Sequence, residues 1–220
     1  MPKFFVNKDQ INEDNINIIG EDVNHIKNVL RKKVDDEIII CNVDEKKDYL
    51  SKIYCLTEKS IECKIIQELN LNTESNIKVT ILQGLPKSDK MELVIQKSVE
   101  LGVFNIIPTE MKRCVVKLNE KEKNKKVQRW QKISEVAAKQ SGRGIIPKIE
   151  NIESLKNICS LCKNYDIVLV AYENEKNNTL KNELTKLKNK LNLSKNINIA
   201  VLIGPEGRNR WNWNKTNKRK

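Results

Sequence analysis

The chain has 220 residues, of which 39% are hydrophobic and 32% charged, with a formal net charge of +12. That length suits one large domain or two small ones, and the composition excludes a membrane-embedded chain and, with the periodic segments below, a disordered one. The charge is uneven: residues 1–75 carry 11 positive and 15 negative groups, residues 112–148 carry 12 and 3, and residues 208–220 carry 6 and 0.

Residues 1–70 hold short β-like runs at Lys3 to Val6, Asn15 to Ile19, Glu37 to Val43, Tyr49 to Thr57 and Ser60 to Ile66, with one short helix around Asp22 to Leu30. Such spacing predicts a small antiparallel barrel. The polar stretch from Glu68 to Asn76 has no periodicity and reads as a linker, centred on residues 71–76. From residue 77 strands and helices alternate. Ile77 to Leu85 is a strand, and Ser88 is placed to cap a helix from Asp89 to Leu101 that Gly102 stops. Val103 to Ile107 is a strand, and Glu120 to Gln140 is a long basic helix with Val127, Trp130, Ile133 and Ala137 inward. A helix over 151–162, a buried strand Tyr165 to Ala171, a leucine-faced helix over 178–192 (Leu180, Leu184, Leu187, Leu191) and a strand Asn198 to Ile203 follow. Continuous apolar strands joined by crossover helices specify a parallel sheet covered on both faces. The fold class is α/β, preceded by a small β-barrel.

The start of the chain, Met1 to Asn7, lacks the apolar core of a signal peptide, and no apolar run approaches the ~20 residues of a spanning helix. A cytoplasmic location is expected. Cys159 and Cys162 form a C-x-x-C, but no second pair accompanies it and His25 is the only histidine, so no metal site is expected. Both thiols continue the stripe Ile152, Leu155, Ile158 and read as buried small hydrophobes.

Three loops fall where an open parallel sheet binds ligands, beyond the C-terminal strand ends. They are Gly84-Leu85-Pro86-Lys87, Tyr172-Glu173-Asn174 and Gly204-Pro205-Glu206-Gly207. The last reads equally as a ligand loop or as an ordinary strand-terminating turn. Neither G-x-G-x-x-G nor a Walker A pattern occurs. Lysine outnumbers arginine 34 to 7, and Asn and Ile are also abundant, which coding bias alone produces; clustering is therefore the useful charge signal. Arg113, Arg129 and Arg143 all fall in the basic interval 112–148, whose density is that of a phosphate-binding surface, which would read RNA by shape and backbone, or otherwise of a solvated helix face.

Several strings in order resemble the RsmE family of 16S ribosomal RNA uracil-N3 methyltransferases: Gly84-Leu85-Pro86-Lys87-Ser88-Asp89-Lys90-Met91-Glu92, Gln96 to Val103, Pro108 to Cys114, Arg129-Trp130, Glu135 to Arg143 with Ile146-Pro147, Ala171-Tyr172-Glu173, and Ile203 to Gly207. Phe4-Phe5-Val6, His25, Val29-Leu30-Arg31 and Val34 to Ile38 match in the small domain, so the likeness covers residues 1–207. The resemblance implies a PUA-like, RNA-binding β-barrel over 1–70, a linker over 71–76 and a SPOUT-type α/β domain over 77–207, with a trefoil knot that dimerises. It also implies S-adenosylmethionine as cofactor and a uridine of 16S rRNA in the small ribosomal subunit as substrate. By position, Ala171, Tyr172, Leu202, Gly204, Pro205, Glu206 and Gly207 would border the cofactor. Arg31, Lys87, Lys90, Arg113, Arg129 and Arg143 would face RNA, and no residue is assigned as a general base.

After Gly207 the likeness stops. The family continues through a further helix and a Leu-Gly/Ile-Leu-Arg segment, whereas residues 208–220 hold two of the three Trp, six cations and no aliphatic residue. This atypical basic tail is expected to reflect a shifted reading frame that leaves the SPOUT domain incomplete and the knot largely missing; the alternative is an RNA-contacting extension. Two functional expectations follow: a methyltransferase impaired in this form, or an inactive RNA-binding module derived from that family.

Overall fold

The computed structural model describes residues 3–69, 74–87, 89–112, 114, 118–171, 175, 179–190 and 196–205, with the side chains of 187, 189 and 190 excepted. The chain divides into two compact units, one of residues 1–74 with 135–146 and one of 75–134 with 147–220.

The first unit is a six-stranded curled sheet of β1 (Lys3–Val6), β2 (Ile11–Asn12), β3 (Asn15–Ile19), β4 (Glu37–Asn42), β5 (Lys47–Leu56) and β6 (Ser60–Leu69). Its order is β1-β4-β5-β6-β3-β2. β1 pairs with β4 in parallel, and every other pair is antiparallel. Two-residue periodicity builds the core: in β3, Ile16 and Ile18 point inward between exposed Asn15, Asn17 and Ile19. They meet Phe4, Val6, Ile38, Ile40, Ile53, Ile61 and Cys63. Strand β6 runs to Leu69, so the polar stretch expected as linker from Glu68 begins inside a strand, held by Tyr49 opposite Glu68 and Asp48 opposite Leu69. The helix expected over Asp22 to Leu30 divides into one α-turn, α1 (Glu21–Asn24), and a π-helical turn (His25–Val29) closed by Leu30 N–H donating to the His25 carbonyl at 2.9 Å. Val23, Ile26 and Leu30 reach the core this way, and Val29 stays exposed.

The second unit runs β7 (Ile77–Gly84), α2 (Lys90–Glu100), β8 (Asn105–Glu110), α3 (Glu120–Gln140), β9 (Lys148–Ile149), β10 (Glu153–Ser154), α4 (Leu155–Leu161), β11 (Ile167–Ala171), α5 (Leu180–Lys190) and β12 (Ile197–Ile203). The strand order is β10-β8-β7-β12-β11, with β9 also on β8, and every pair is parallel. Strand β12 carries apolar side chains on both faces: Ala200 and Leu202 pack with Leu82, Ile107, Met111 and Ile158, while Ile197 and Ile199 pack with Ile167. That is the burial a parallel sheet covered on two sides needs. Helix α3 begins on a capping box, Asn119 Oδ1 accepting from Glu122 N–H at 2.9 Å and Glu122 Oε2 accepting from Asn119 N–H at 2.8 Å.

Three expectations change here. The helix expected over 151–162 starts only at Leu155, because Glu153 and Ser154 pair with β8 and Ser154 Oγ then caps at Asn157 N–H, 3.2 Å away. Cys159 is exposed, not buried: Leu155, Leu161 and Cys162 pack around buried Ile158, and at ~100° per residue Cys159 falls outside that arc. On α5, Leu180 and Leu184 are exposed rather than turned inward, while Leu191 and the side chain of Leu187 lie outside the described residues. The expected Ser88 cap also lies outside them; Asp89 occupies the N-cap of α2 without a side-chain bond.

Candidate cofactor and RNA site

The parallel register brings the C-terminal ends of four strands to one edge. Ala171 stands opposite Ile203, Ile203 opposite Gln83, and Gly84 opposite Thr109. The loops that follow β7 and β12 therefore leave the sheet side by side. Their approach is close enough to require glycine: a Cβ on Gly84 would lie 2.7 Å from both Cδ and N of Pro205 and 3.0 Å from the Gly204 carbonyl carbon. Leu85 N–H then donates to the Thr109 carbonyl at 3.1 Å, tying the loop to the next strand. Leu85, Pro86 and Pro205 are buried, Gly204 is half-buried, and Ala171 at the end of β11 is exposed. The result is a lip of closely packed backbone and small apolar groups.

Polar side chains on the described lip are already engaged. Gln83 Nε2 donates to the Gly84 carbonyl at 3.0 Å, and Thr109 Oγ1 donates to the Ile107 carbonyl at 3.1 Å. Ala171, Leu202, Gly204 and Pro205, as expected for cofactor binding from sequence, share this edge and bring no charge to it. Their character fits a group that combines a flat purine, a ribose and an amino-acid tail, which needs apolar walls and backbone hydrogen-bond partners. Tyr172, Glu206 and Gly207 lie outside the described residues, as do residues 208–220 with the expected knot region.

Three of the six thiols are held toward the neutral form. Burial, then hydrogen bonding to Asp48, pushes Cys41 up to about 12, and burial alone pushes Cys63 up to about 12. Cys162 is raised by burial and by its neighbour Cys159. Among the described residues no group of three His, Cys, Asp or Glu is placed to hold a metal, and no helix is long and apolar enough to cross a membrane.

The cations expected to face RNA divide into two kinds. Lys87, Lys90 and Arg31 are exposed, Arg31 with a positive φ of 52°. Arg129 instead forms a fork with Glu92, Nε to Oε1 at 2.8 Å and Nη2 to Oε2 at 3.0 Å. Arg143 is only 7% exposed and grips Glu74 in the same way, Nε to Oε1 at 2.9 Å and Nη2 to Oε2 at 2.7 Å. Gly144 N–H adds a third bond to Glu74 at 2.8 Å. Burial alone would raise the Glu74 carboxyl, but Arg143 with the amides of Gly144 and Ile145 outweighs it and holds the group below the usual glutamate range. Arg143 thus fastens the 135–146 segment to the barrel's own chain, beside a buried Lys3–Asp48 pair at 2.7 Å whose Lys3 Nζ also donates to the Arg143 carbonyl at 3.2 Å. Arg113 lies outside the described residues. Sequence reasoning missed Glu74 and Glu92 because a lone glutamate 69 or 37 positions from its arginine leaves no local signal.

Residues 73–208 match the RNA methyltransferase domain, and residues 18–66 match the RNA methyltransferase PUA domain. Over 94% of its length the chain is 36% identical to ribosomal RNA small subunit methyltransferase E of Bacillus subtilis, spanning 81% of that protein. The chain belongs to the ribosomal RNA small subunit methyltransferase E family. The Mesomycoplasma hyopneumoniae member is 33% identical, over 94% of this chain and 82% of its own. Among solved structures, the Neisseria gonorrhoeae ribosomal RNA small subunit methyltransferase E bound to S-adenosyl methionine aligns with a TM-score of 0.75 at 27% identity, covering 96% of this chain and 82% of its own. A Legionella pneumophila protein in complex with the bound cofactor SAM aligns at 0.78 and 26% identity, covering 94% and 81%. The β-barrel and parallel α/β architecture expected from the sequence is the family's.

Proposed function

We propose that the chain methylates uracil N3 of a uridine in 16S ribosomal RNA of the small subunit, using S-adenosylmethionine held at the C-terminal edge of the parallel sheet. The observation that carries the proposal is the Gly84–Pro205 contact, where two strand-end loops approach so closely that a Cβ on Gly84 has no room. Bound there, S-adenosylmethionine supplies an electrophilic methyl group on a sulfonium. The protein's own work is alignment. Leu202 and Ala171, with Gly204, Pro205, Tyr172, Glu206 and Gly207, would hold the donor, and Lys87 at the end of the Gly84 loop with Lys90 at the start of α2 would draw in the RNA backbone. In-line methyl transfer gains most from such positioning, which supplies ~7–11 kcal/mol of a barrier.

Uracil N3 is protonated at neutral pH and lies on the pairing edge. The uridine must therefore be unpaired when it reacts, and its N3 proton must leave. Both polar side chains of the described lip, Gln83 and Thr109, are spent on backbone carbonyls, so orientation of the base next to the methyl group is the contribution assigned to the site. A ribosomal substrate supports a cytoplasmic location, and the family's homodimer, built through the knot, is doubtful for this chain.

Calorimetry with S-adenosylmethionine, followed by transfer of tritiated methyl to small subunits that lack the modification, tests the proposal. Micromolar cofactor binding and a new reverse-transcription stop at one uridine are expected, because an N3 methyl blocks pairing. No cofactor binding at millimolar concentration overturns it.

A further inference from the structure

Helix α3 carries lysines in two states. Lys123 lies 3.2 Å from Glu110 and 3.0 Å from Glu120. Lys126 Nζ sits over the Trp130 ring, 5.8 Å from its centroid, Arg129 is forked with Glu92, and Lys139 pairs with Asp22 at 2.6 Å. Lys121 and Lys125 are exposed and, among the described residues, stand without a carboxylate partner. The local acids are already committed: Glu120 to Lys123, and Glu122 to the capping box.

This arrangement works against the helix. Lys121 and Lys125 sit one turn apart, and such like-charge i,i+4 pairs cost an isolated helix about 0.2–0.5 kcal/mol. They also crowd the N-terminal end, where the helix dipole is positive and favours anions. A helix under selection for stability alone would carry a glutamate at one of those positions. Viewed down the axis at ~100° per residue, Lys121, Lys125, Gln128 and Lys132 fall within about 60° of one another, and at ~1.5 Å per residue they span roughly 16 Å. All four are exposed.

We propose that this stripe is a phosphate track, along which the backbone of a structured RNA lies while the lip receives the reacting base. It rests on the methyltransferase reading for the base, not for the track. The stripe offers point charges and one amide, with no aromatic platform for stacking and no arginine fork for a guanine edge, so it reads charge and backbone shape rather than sequence. The RNA reading of the basic interval thereby moves from Arg129 and Arg143, whose guanidinium groups are occupied by carboxylates, to the exposed Lys121 and Lys125.

The test uses the full chain and its Lys121→Gln/Lys125→Gln variant, with a labelled generic RNA duplex and small-subunit rRNA as probes, by anisotropy from about 50 to about 200 mM KCl. Each phosphate contact contributes about 0.7–0.9 to the slope of log affinity against log salt, so the double variant is expected to bind with a slope shallower by roughly 1.4–1.8 on both RNAs. Its melting temperature should hold or rise, since a repulsive pair is removed. Lys156→Gln, an exposed lysine on α4, should leave the slope unchanged. An unchanged slope in the double variant overturns the track, and so does an equal loss in Lys156→Gln, which would show unlocalised charge. Calorimetry with S-adenosylmethionine on the same samples separates the two readings: a slope change without cofactor binding supports the track while sinking the methyltransferase proposal, and cofactor binding with an unchanged slope does the reverse.

Discussion

At the scale of single residues, Gly84 is the position where the site tolerates least. Its neighbours across the gap are the Pro205 backbone nitrogen and ring, not the end of a flexible side chain, so an added methyl at 2.7 Å has to push two loops apart. Overpacking of this kind costs ~1–3 kcal/mol. Gly84→Ala is expected to lower stability to urea by that order and to weaken S-adenosylmethionine binding at least tenfold, measured by calorimetry on the folded variant. Unchanged affinity would separate the lip from the cofactor. Glu74 makes a second prediction, in acid. Its folded pKa lies below the unfolded value of roughly 4.3, so its contribution is fully present above that value and is lost as pH falls through the folded pKa. With the Arg143 side chain 8% exposed and that of Glu74 27%, Glu74→Gln should cost on the order of 2–3 kcal/mol near neutrality, somewhat less than the ~3–5 of a fully buried pair. The stability gap between wild type and variant should narrow as pH falls below the unfolded value and close as it passes through the folded pKa; a gap independent of pH would place the cost in packing rather than charge.

At the scale of elements, legibility followed the range of the forces involved. Helix α3 was readable end to end from Glu120 to Gln140, because its apolar spacing and the following Gly142 are both local. The parallel sheet was readable for the same reason, and with it the strand-end loops that make the lip. What could not be read is set by partners distant in sequence: β10 exists because Glu153 and Ser154 find β8, and Cys159 is exposed because Ile158 turns into the cluster of Leu82, Ile107 and Leu202; Leu180 and Leu184 remain exposed despite their helical spacing. Around the proposed site, the strand-end placement of the Gly204-Pro205 loop was legible, while the ion pairs of Arg129 and Arg143 were not, since each is decided by one distant glutamate. The inward face of α3 gives its own test. Trp130 is 4% exposed at the helix's centre, so Trp130→Ala should destabilise the protein by about 3–5 kcal/mol in denaturant titration, with loss of the buried tryptophan fluorescence. A cost under 1 kcal/mol would mean that this face does not anchor the helix.

At the scale of the whole molecule, one continuous helix is shared between two compact units: residues 120–134 of α3 belong with the parallel sheet and 135–140 with the barrel's residues. Chain continuity alone does not require that division. It is made by side chains, through Lys139 on Asp22, Arg143 and Gly144 on Glu74, and Lys3 on the Arg143 carbonyl. If these contacts set the stability of the segment, removing them should loosen the end of the helix and spare its beginning. In the Asp22→Asn/Glu74→Gln chain, the amides of Ser141 and Arg143, which donate to the carbonyls of Ala137 and Ala138 at 3.0 Å each, are expected to exchange with deuterium at least about tenfold faster, the factor that corresponds to ~1.4 kcal/mol of local opening. The turn around Trp130, anchored in the other unit, should keep wild-type protection. Acceleration spread evenly along α3 would show that the helix opens as a single body and that the ion pairs only add to global stability; no acceleration at all would show that helix propensity and Ala137–Ala138 burial hold the segment without them.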